Sequence, residues 1–447
     1  MRKYFGTDGI RGEANRELTV DIALRLGYAL GYYLKRENPD KKKIKVIMGC
    51  DTRISGYMLR SAMLAGLTSM GVHVDFVGVI STPAVAYLTK AKKADAGIMI
   101  SASHNPAKDN GLKVFAGNGY KLPDEVELEI ERLMDDPTIL ANPIAGDKVG
   151  KFKYAEDEYY SYRDHLLASV NGDFSGMKIV VDTANGSAYR IAKDVFLALG
   201  AEVVLINDAP NGTNINVRCG STHPEILTKV VVGYEADLGL AYDGDADRLI
   251  AVDRHGNIID GDKIIATLAM GMKRKGELKE NKVVTTVMSN MGFENYLKEN
   301  GIELLRANVG DRYVLEKMIE HNVAIGGEQS GHIILLQYAT TGDGVLTSLK
   351  LVEALRDEKK YLDEMIGDIK DWPNVVVDNN KKNIWNKNKN ITDFIAQKEK
   401  EMEGLGRVLV RTSGTEPLVR VMVEGKEMNM VEKVVNEIAE VVKKELA

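Results

Sequence analysis

Apolar positions recur every three or four residues over 18–34, which predicts a helix, closed by Pro39 and the lysines at 41–43. A local grammar then begins that the chain uses three times. The apolar run 44–48 reads as a strand, Asp51-Thr52-Arg53 as a polar turn and 58–70 as a helix. Gly71 follows as its C′ cap, and 72–77 is the next strand. The same order returns at 178–182, a helix at 189–199, Gly200 and a strand at 201–206. It returns again at 282–287, a helix to Asn300, Gly301 and a strand at 302–305. Three such units predict three related α/β domains with mixed sheets. The last stretch differs: strand 407–411, turn 412–417, strand 418–423 and an amphipathic helix over 430–445, a smaller α+β domain. Residues 135–150, rich in Pro, Gly and Asp, read as a linker or surface loop, and the Asn/Lys-rich 372–390 as a mobile connection or exposed edge. The expected domains are 1–150, 151–253, 254–370 and 371–447.

At 447 residues the chain has the length for several cores, with 44% hydrophobic and 28% charged residues. The 65 acidic against 59 basic residues give a net charge of −6, which argues against a nucleic-acid partner. Two cysteines, Cys50 and Cys219, make no disulfide framework and fit a reducing cytoplasm. No apolar run follows Arg2 and Lys3, and none approaches the ~20 residues a bilayer span needs. The expectation is a cytoplasmic protein without secretory leader or membrane association.

Four polar loops carry the candidate chemistry. The buried-strand pattern 98–100 ends in Ser101-Ala102-Ser103-His104-Asn105-Pro106, and Pro106 stiffens a turn that could present one hydroxyl. Asp243, Asp245 and Asp247 alternate on one loop, where their oxygens could converge on a hard cation such as Mg²⁺. A calcium EF-hand fails, because its sixth position would be Arg248 and its twelfth Arg254. An aspartyl-phosphate enzyme stays open, as do carboxylates merely solvated in a hairpin. Three unpaired carboxylates so close would repel, which favours the cation. Ala246 in that loop is poorly suited to a positive φ, although a small side chain is expected to suffice. Gly326-Gly327-Glu328-Gln329-Ser330-Gly331-His332 offers hydrogen-bonding groups for a sugar, with His332 able to move protons. Arg411-Thr412-Ser413-Gly414-Thr415-Glu416-Pro417 and Arg420 have the make-up of a phosphate cradle. Arg11, between glycines in Phe5-Gly6-Thr7-Asp8-Gly9-Ile10-Arg11-Gly12, offers a further fork for phosphate. Metal-assisted phosphoryl transfer is the common denominator.

These four loops, in this order, resemble the signatures of the α-D-phosphohexomutase superfamily across nearly the whole chain. The resemblance implies four domains around a central cleft, with Ser103 as the phosphorylated nucleophile. It implies Mg²⁺ on Asp243, Asp245, Asp247 and the Ser103 phosphate. Glu328, Gln329 and Ser330 would grip the sugar. Arg411, Thr412, Ser413, Gly414, Thr415 and Arg420 would hold the non-reacting phosphate. Lys113 in Asn110-Gly111-Leu112-Lys113, Arg11 and Arg248 would lie beside the transferred group, with Lys113 or His332 as acid/base. Gln329, Gly310-Asp311-Arg312-Tyr313, Ser101 and the N-terminal glycine-rich motif look like the branch acting on glucosamine phosphates, which feeds amino-sugar nucleotide and cell-wall precursors. A sugar phosphate is the implied partner and glucosamine or glucose 1,6-bisphosphate the implied primer. Assembly as a homodimer is left open. A phosphoglucomutase/phosphomannomutase, a Mg²⁺ phosphatase and a regulatory sugar-phosphate binder remain the competing readings.

Overall fold

The structure, a computed structural model, describes residues 2–140, 144–379, 385–412 and 419–446. It divides into one unit of residues 1–288 and 303–366 and a second of 289–302 and 367–447.

The larger unit holds three mixed sheets built on one plan. The first contains β1 (Ile10–Glu13), β2 (Lys45–Cys50), β3 (His73–Val79), β4 (Ala96–Ile100), β5 (Asp109–Ala116) and β6 (Phe152–Tyr154), in the order β1-β5-β4-β2-β3-β6. Strand β2 lies parallel to β3 and β4, and β4 turns back antiparallel into β5. The second sheet has β7 (Lys178–Asp182), β8 (Glu202–Ile206), β9 (Leu238–Tyr242), β10 (Leu249–Asp253) and β11 (Ile258–Ile259), ordered β11-β10-β9-β7-β8. The third has β12 (Lys282–Thr286), β13 (Glu303–Ala307), β14 (Ile325–Gly327) and β15 (Ile333–Leu335), ordered β13-β12-β14-β15. Each sheet thus contains a parallel trio whose first strand is central, followed by one antiparallel strand. The sequence pattern shows the first half of this repeat; the closing hairpin is its second half.

Burial on both faces explains why the central strands read as unbroken apolar runs. Every residue of β4, β9 and β10 is buried. In each repeat a left-handed glycine lies between helix and second strand: Gly71 at φ +76°, Gly200 at +83° and Gly301 at +64°. A side chain there would be strained, so the predicted C′ caps are confirmed in all three. The sheets reach past two of the expected boundaries, since β6 follows residue 150 and β11 follows residue 253.

The smaller unit is a three-stranded antiparallel sheet of β16 (Asn374–Asn379), β17 (Gly406–Thr412) and β18 (Val419–Gly425), with β18 central. Helices Lys389–Glu401 and Met428–Glu445 cover it through Ile391, Ile395, Val431, Val435, Ile438 and Val442. Within 372–390, strand β16 replaces the expected connection over Asn374–Asn379, while residues 380–384 lie outside the described residues. Val375, Val376 and Val377 pair with β18, but flanking Asn, Asp and Lys residues mask so short an apolar run. As an outer strand of its sheet, β16 does match the exposed-edge alternative.

Candidate active site

The repeat explains why three of the four polar loops are functional candidates: each is the hairpin that turns the parallel trio into its antiparallel strand. Ser101 to Lys108 join β4 to β5, Asp243 to Arg248 join β9 to β10, and Glu328 to His332 join β14 to β15.

Ser103 is buried, with φ +53°. Its Oγ donates to Asp243 Oδ2 at 2.6 Å, so the first and second hairpins meet at the expected nucleophile. His104 Nδ1 lies 3.4 Å from the same hydroxyl. Burial, then Arg248 and Arg11, push the His104 imidazole down to about 4, so it is neutral at physiological pH.

The aspartate hairpin is held by helix N-termini. Successive carbonyls of Gly244, Asp245 and Ala246 accept from the N–H groups of Ser187, Thr82 and Gly344 at 2.8, 3.0 and 2.9 Å. Those residues head the helices Ala188–Ala198, Thr82–Ala91 and Gly344–Glu358. Their unpaired N-terminal donors and dipoles suit a loop carrying three carboxylates. Ala246 adopts φ +57°, the conformation for which alanine is ill suited, at a strain on the order of 1–2 kcal/mol. Bonds from its N–H to Asp243 O and from Gly344 N–H to its own carbonyl hold it there.

All three carboxylates are buried, and one oxygen from each lies within 4.8 Å of the others. The sequence reading of three unpaired charges needs correction. Lys113 Nζ donates to Asp245 Oδ2 at 2.7 Å, Thr82 Oγ1 donates to it at 2.5 Å, and Lys113 also lies 3.7 Å from Asp247. Burial alone would raise the Asp245 carboxyl, but Lys113 holds it below the usual range. Asp243 goes the other way, well upward, through burial and then Asp247 and Asp245. Asp245 Oδ1 and Asp247 Oδ1 are buried without a hydrogen-bond partner among the described residues. An all-oxygen set with two orphaned acceptors fits a hard divalent ion.

Cations surround the cluster. Arg11 pairs with Asp8, and Asp8 also binds Lys113 at 3.0 Å and Lys121 at 2.5 Å. Lys121 continues to Asp311 at 2.5 Å, and His332 Nε2 lies 3.7 Å from Asp311 and 4.0 Å from Asp247. Asp8, Lys121, Asp311 and Thr82 are not among the site residues expected from sequence; Asp8, in the glycine-rich N-terminal motif, and Asp311, in Gly310-Asp311-Arg312-Tyr313, carry a local signal there. Burial would lower the Lys113 ammonium, but Asp245, Asp8 and Asp247 hold it above its usual range. With these carboxylates free of metal, Lys113 is a fixed positive charge among them.

The third hairpin is stitched to the second: Leu249 N–H donates to Gly331 O at 3.0 Å, and Arg248 and His332 form a bridge. Glu328 accepts from Gly310 N–H at 3.2 Å, Gln329 donates to Asp260 at 3.1 Å, and Ser330 is exposed. The buried His332 ring lies flat on Gly342, where a β-carbon would stand 2.5–2.7 Å from three ring atoms. Gly342→Ala should therefore displace the imidazole and lower kcat about tenfold or more. Steady-state kinetics of the single and double variants check this: combined with His332→Ala, the glycine change adds little.

In the smaller unit Arg411 and Arg420 are cross-strand partners on β17 and β18. Burial, then Arg420, press the Arg411 guanidinium below its usual range, a setting an anion would relieve. Thr412 ends β17, while Ser413, Gly414 and Thr415 lie outside the described residues.

Family models for phosphoglucomutase/phosphomannomutase domains I, II, III and IV match residues 2–139, 158–256, 260–371 and 374–441. A curated phosphoglucosamine mutase of Fusobacterium nucleatum is 71% identical over 100% of both chains. Among solved structures, a phosphoglucomutase/phosphomannomutase family protein from Burkholderia thailandensis superposes with a TM-score of 0.83 at 23% identity, over 100% of this chain and 99% of that one. The Aspergillus fumigatus N-acetylphosphoglucosamine mutase, in complex with GlcNAc-6P and magnesium, has a TM-score of 0.66 at 16% identity, over 100% and 96% of the two chains. No described helix is long and apolar enough to cross a membrane. With four domain models in register and full-length likeness to a curated relative, the chain belongs to the phosphoglucomutase/phosphomannomutase family, in its phosphoglucosamine mutase branch.

Proposed function

We propose that the chain interconverts glucosamine 6-phosphate and glucosamine 1-phosphate, carrying a phosphoryl group on Ser103. The observation that carries this reading is the 2.6 Å bond between the Ser103 hydroxyl and Asp243, in a chain 71% identical to a phosphoglucosamine mutase. In the first transfer a sugar hydroxyl oxygen bonds to phosphorus, the Ser103 Oγ–P bond breaks, and the hydroxyl proton passes to a base. His332, whose two ring nitrogens are buried without a hydrogen-bond partner among the described residues, is assigned that proton, with Lys113 as the alternative carrier. The 1,6-bisphosphate turns over and its other phosphate returns to Ser103, so glucosamine or glucose 1,6-bisphosphate serves as primer. Arg11, Arg248 and Lys113 complement the oxygens of the group in transit.

Asp243, Asp245, Asp247 and the phosphate on Ser103 would hold Mg²⁺, the ion named with the Aspergillus relative. When bound, it offsets negative charge on the transferred group. Glu328, Gln329 and Ser330 are assigned to the sugar, and Arg411, Thr412, Ser413, Gly414, Thr415 and Arg420 to a phosphate. The two buried thiols, Cys50 and Cys219, suit a reducing cytoplasm.

Turnover of glucosamine, glucose and mannose 6-phosphates, after bisphosphate priming, tests the assignment. The expected kcat/KM favours glucosamine 6-phosphate about 100-fold or more. Preference for glucose or mannose would transfer the chain to the phosphoglucomutase/phosphomannomutase reading. Net release of inorganic phosphate without isomer would support a phosphatase.

A further inference from the structure

Ser103 occupies a left-handed conformation that a residue with a side chain holds only when its surroundings over-determine it. The surroundings begin at the end of β2, in the polar turn Asp51-Thr52-Arg53, to which the mechanism above gives no role. Arg53 and Asp51 form an ion pair at 2.9 Å with both side chains wholly buried. A buried guanidinium is tolerated only when its donors are used. Here Arg53 Nε donates to Asp51, and the two terminal nitrogens donate to three carbonyls of one hairpin. Nη2 reaches Ser103 O at 2.9 Å and Asn105 O at 2.8 Å, and Nη1 reaches Pro106 O at 2.5 Å. Asn216 Nδ2 approaches from the second repeat and donates to the same Ser103 and Asn105 carbonyls at 2.9 and 3.1 Å. On the other side of Ser103, its N–H donates to Ser101 Oγ at 3.0 Å, and that hydroxyl donates to Asp51 Oδ2 at 2.6 Å.

We propose that the buried Asp51–Arg53 pair, through Ser101 and with Asn216, is a positioning device that fixes both peptide groups of Ser103 and so aims its hydroxyl at Asp243. It rests on the reading of Ser103 as the phosphoryl carrier. None of these residues touches the reacting atoms. They act through the backbone, by charge-assisted bonds whose planar fork a lysine cannot reproduce.

The test uses the full-length protein with Ser101→Ala, Ser101→Thr and Arg53→Lys. Three readouts are taken: amide hydrogen exchange, steady-state kinetics on glucosamine 6-phosphate, and thermal melting. In Ser101→Ala, exchange in the peptide spanning 101–106 should rise at least about tenfold while the rest of the first sheet is unchanged. Its kcat should fall about 10–100-fold with KM within about threefold, the signature of a misaimed rather than missing nucleophile. Ser101→Thr, which keeps the hydroxyl, should retain both properties. Arg53→Lys should show the larger loss; if it fails to fold, the Ser101 pair still decides. Unchanged exchange at 101–106, or equal kcat in the alanine and threonine variants, overturns the proposal. Accelerated exchange spread over the whole first sheet, with kcat per folded molecule intact, also overturns it. A wild-type protein that never isomerises the sugar phosphate would sink the phosphoryl-carrier reading instead, while the exchange comparison still judges the clamp.

Discussion

Ser103→Ala should abolish isomerisation, with kcat lower by at least about 10⁴-fold, and should stop the protein accepting phosphate from a 1,6-bisphosphate. The reason is specific to this hydroxyl. Ser101 Oγ is committed to Asp51, so Ser103 presents the hairpin's other hydroxyl, and it does so beside the aspartates. The alanine variant should still fold. It loses one hydrogen bond to Asp243, and alanine meets the same φ +53° that serine already tolerates. Intact mass before and after bisphosphate treatment, with peptide mapping, checks this beside the kinetic assay. The wild type should gain a single phosphate at Ser103 and the variant none. Residual turnover near the wild-type rate, or a phosphate mapped elsewhere, would remove Ser103 from its role.

Asp247→Asn should have the second largest effect, about 10³-fold on kcat at limiting Mg²⁺, similar to chelating the divalent ion from the wild type. The substituted amide would keep the shape while giving up one negative charge and one of the two orphaned acceptors. A second readout does not depend on catalysis. Mg²⁺ should raise the wild-type melting temperature through preferential binding to the folded state, and this rise should be lost in the variant. Without metal two effects oppose. The Asp243 carboxyl is pressed upward by burial and then by Asp247 and Asp245, so deleting the Asp247 charge relieves repulsion. The same change also loses the attraction of Lys113 and Arg248, so the metal-free variant should melt within about 5 °C of metal-free wild type. A variant that melts lower than that without metal yet keeps its Mg²⁺ response would show Asp247 to be a structural acid instead.

What was legible in the sequence was whatever is local. The strand–helix–Gly–strand units could be read because apolar period and a C′ glycine are properties of neighbouring residues. The four polar loops could be read because each motif is contiguous. Long-range partners could not. Lys113 was named only through its family resemblance, and nothing near Asp245 in the chain announces that a lysine 132 residues earlier neutralises it. Asp51-Thr52-Arg53 reads only as a polar turn, since polarity alone does not distinguish a solvated ion pair from one sealed beneath a hairpin. Ala246 shows the opposite case. Intrinsic preference correctly marked it as unfavourable for a left-handed loop, and tertiary hydrogen bonds imposed that geometry anyway. The equivalence of the three hairpins is also hidden, because Ser-His-Asn, Asp-Gly-Asp and Glu-Gln-Ser share position in the repeat but no residue at a matching place.

The chain of charges through Asp8, Lys121 and Asp311 bears on how the polypeptide is made. Lys121 leaves the ribosome 190 residues ahead of Asp311, an interval of roughly 10–40 s at about 5–20 residues per second. For that time Lys121 has Asp8, made before it, as a partner, while its second carboxylate has not been synthesised. A chain that ends before Asp311 therefore lacks one carboxylate of this charge relay, and Lys121 is left with Asp8 alone.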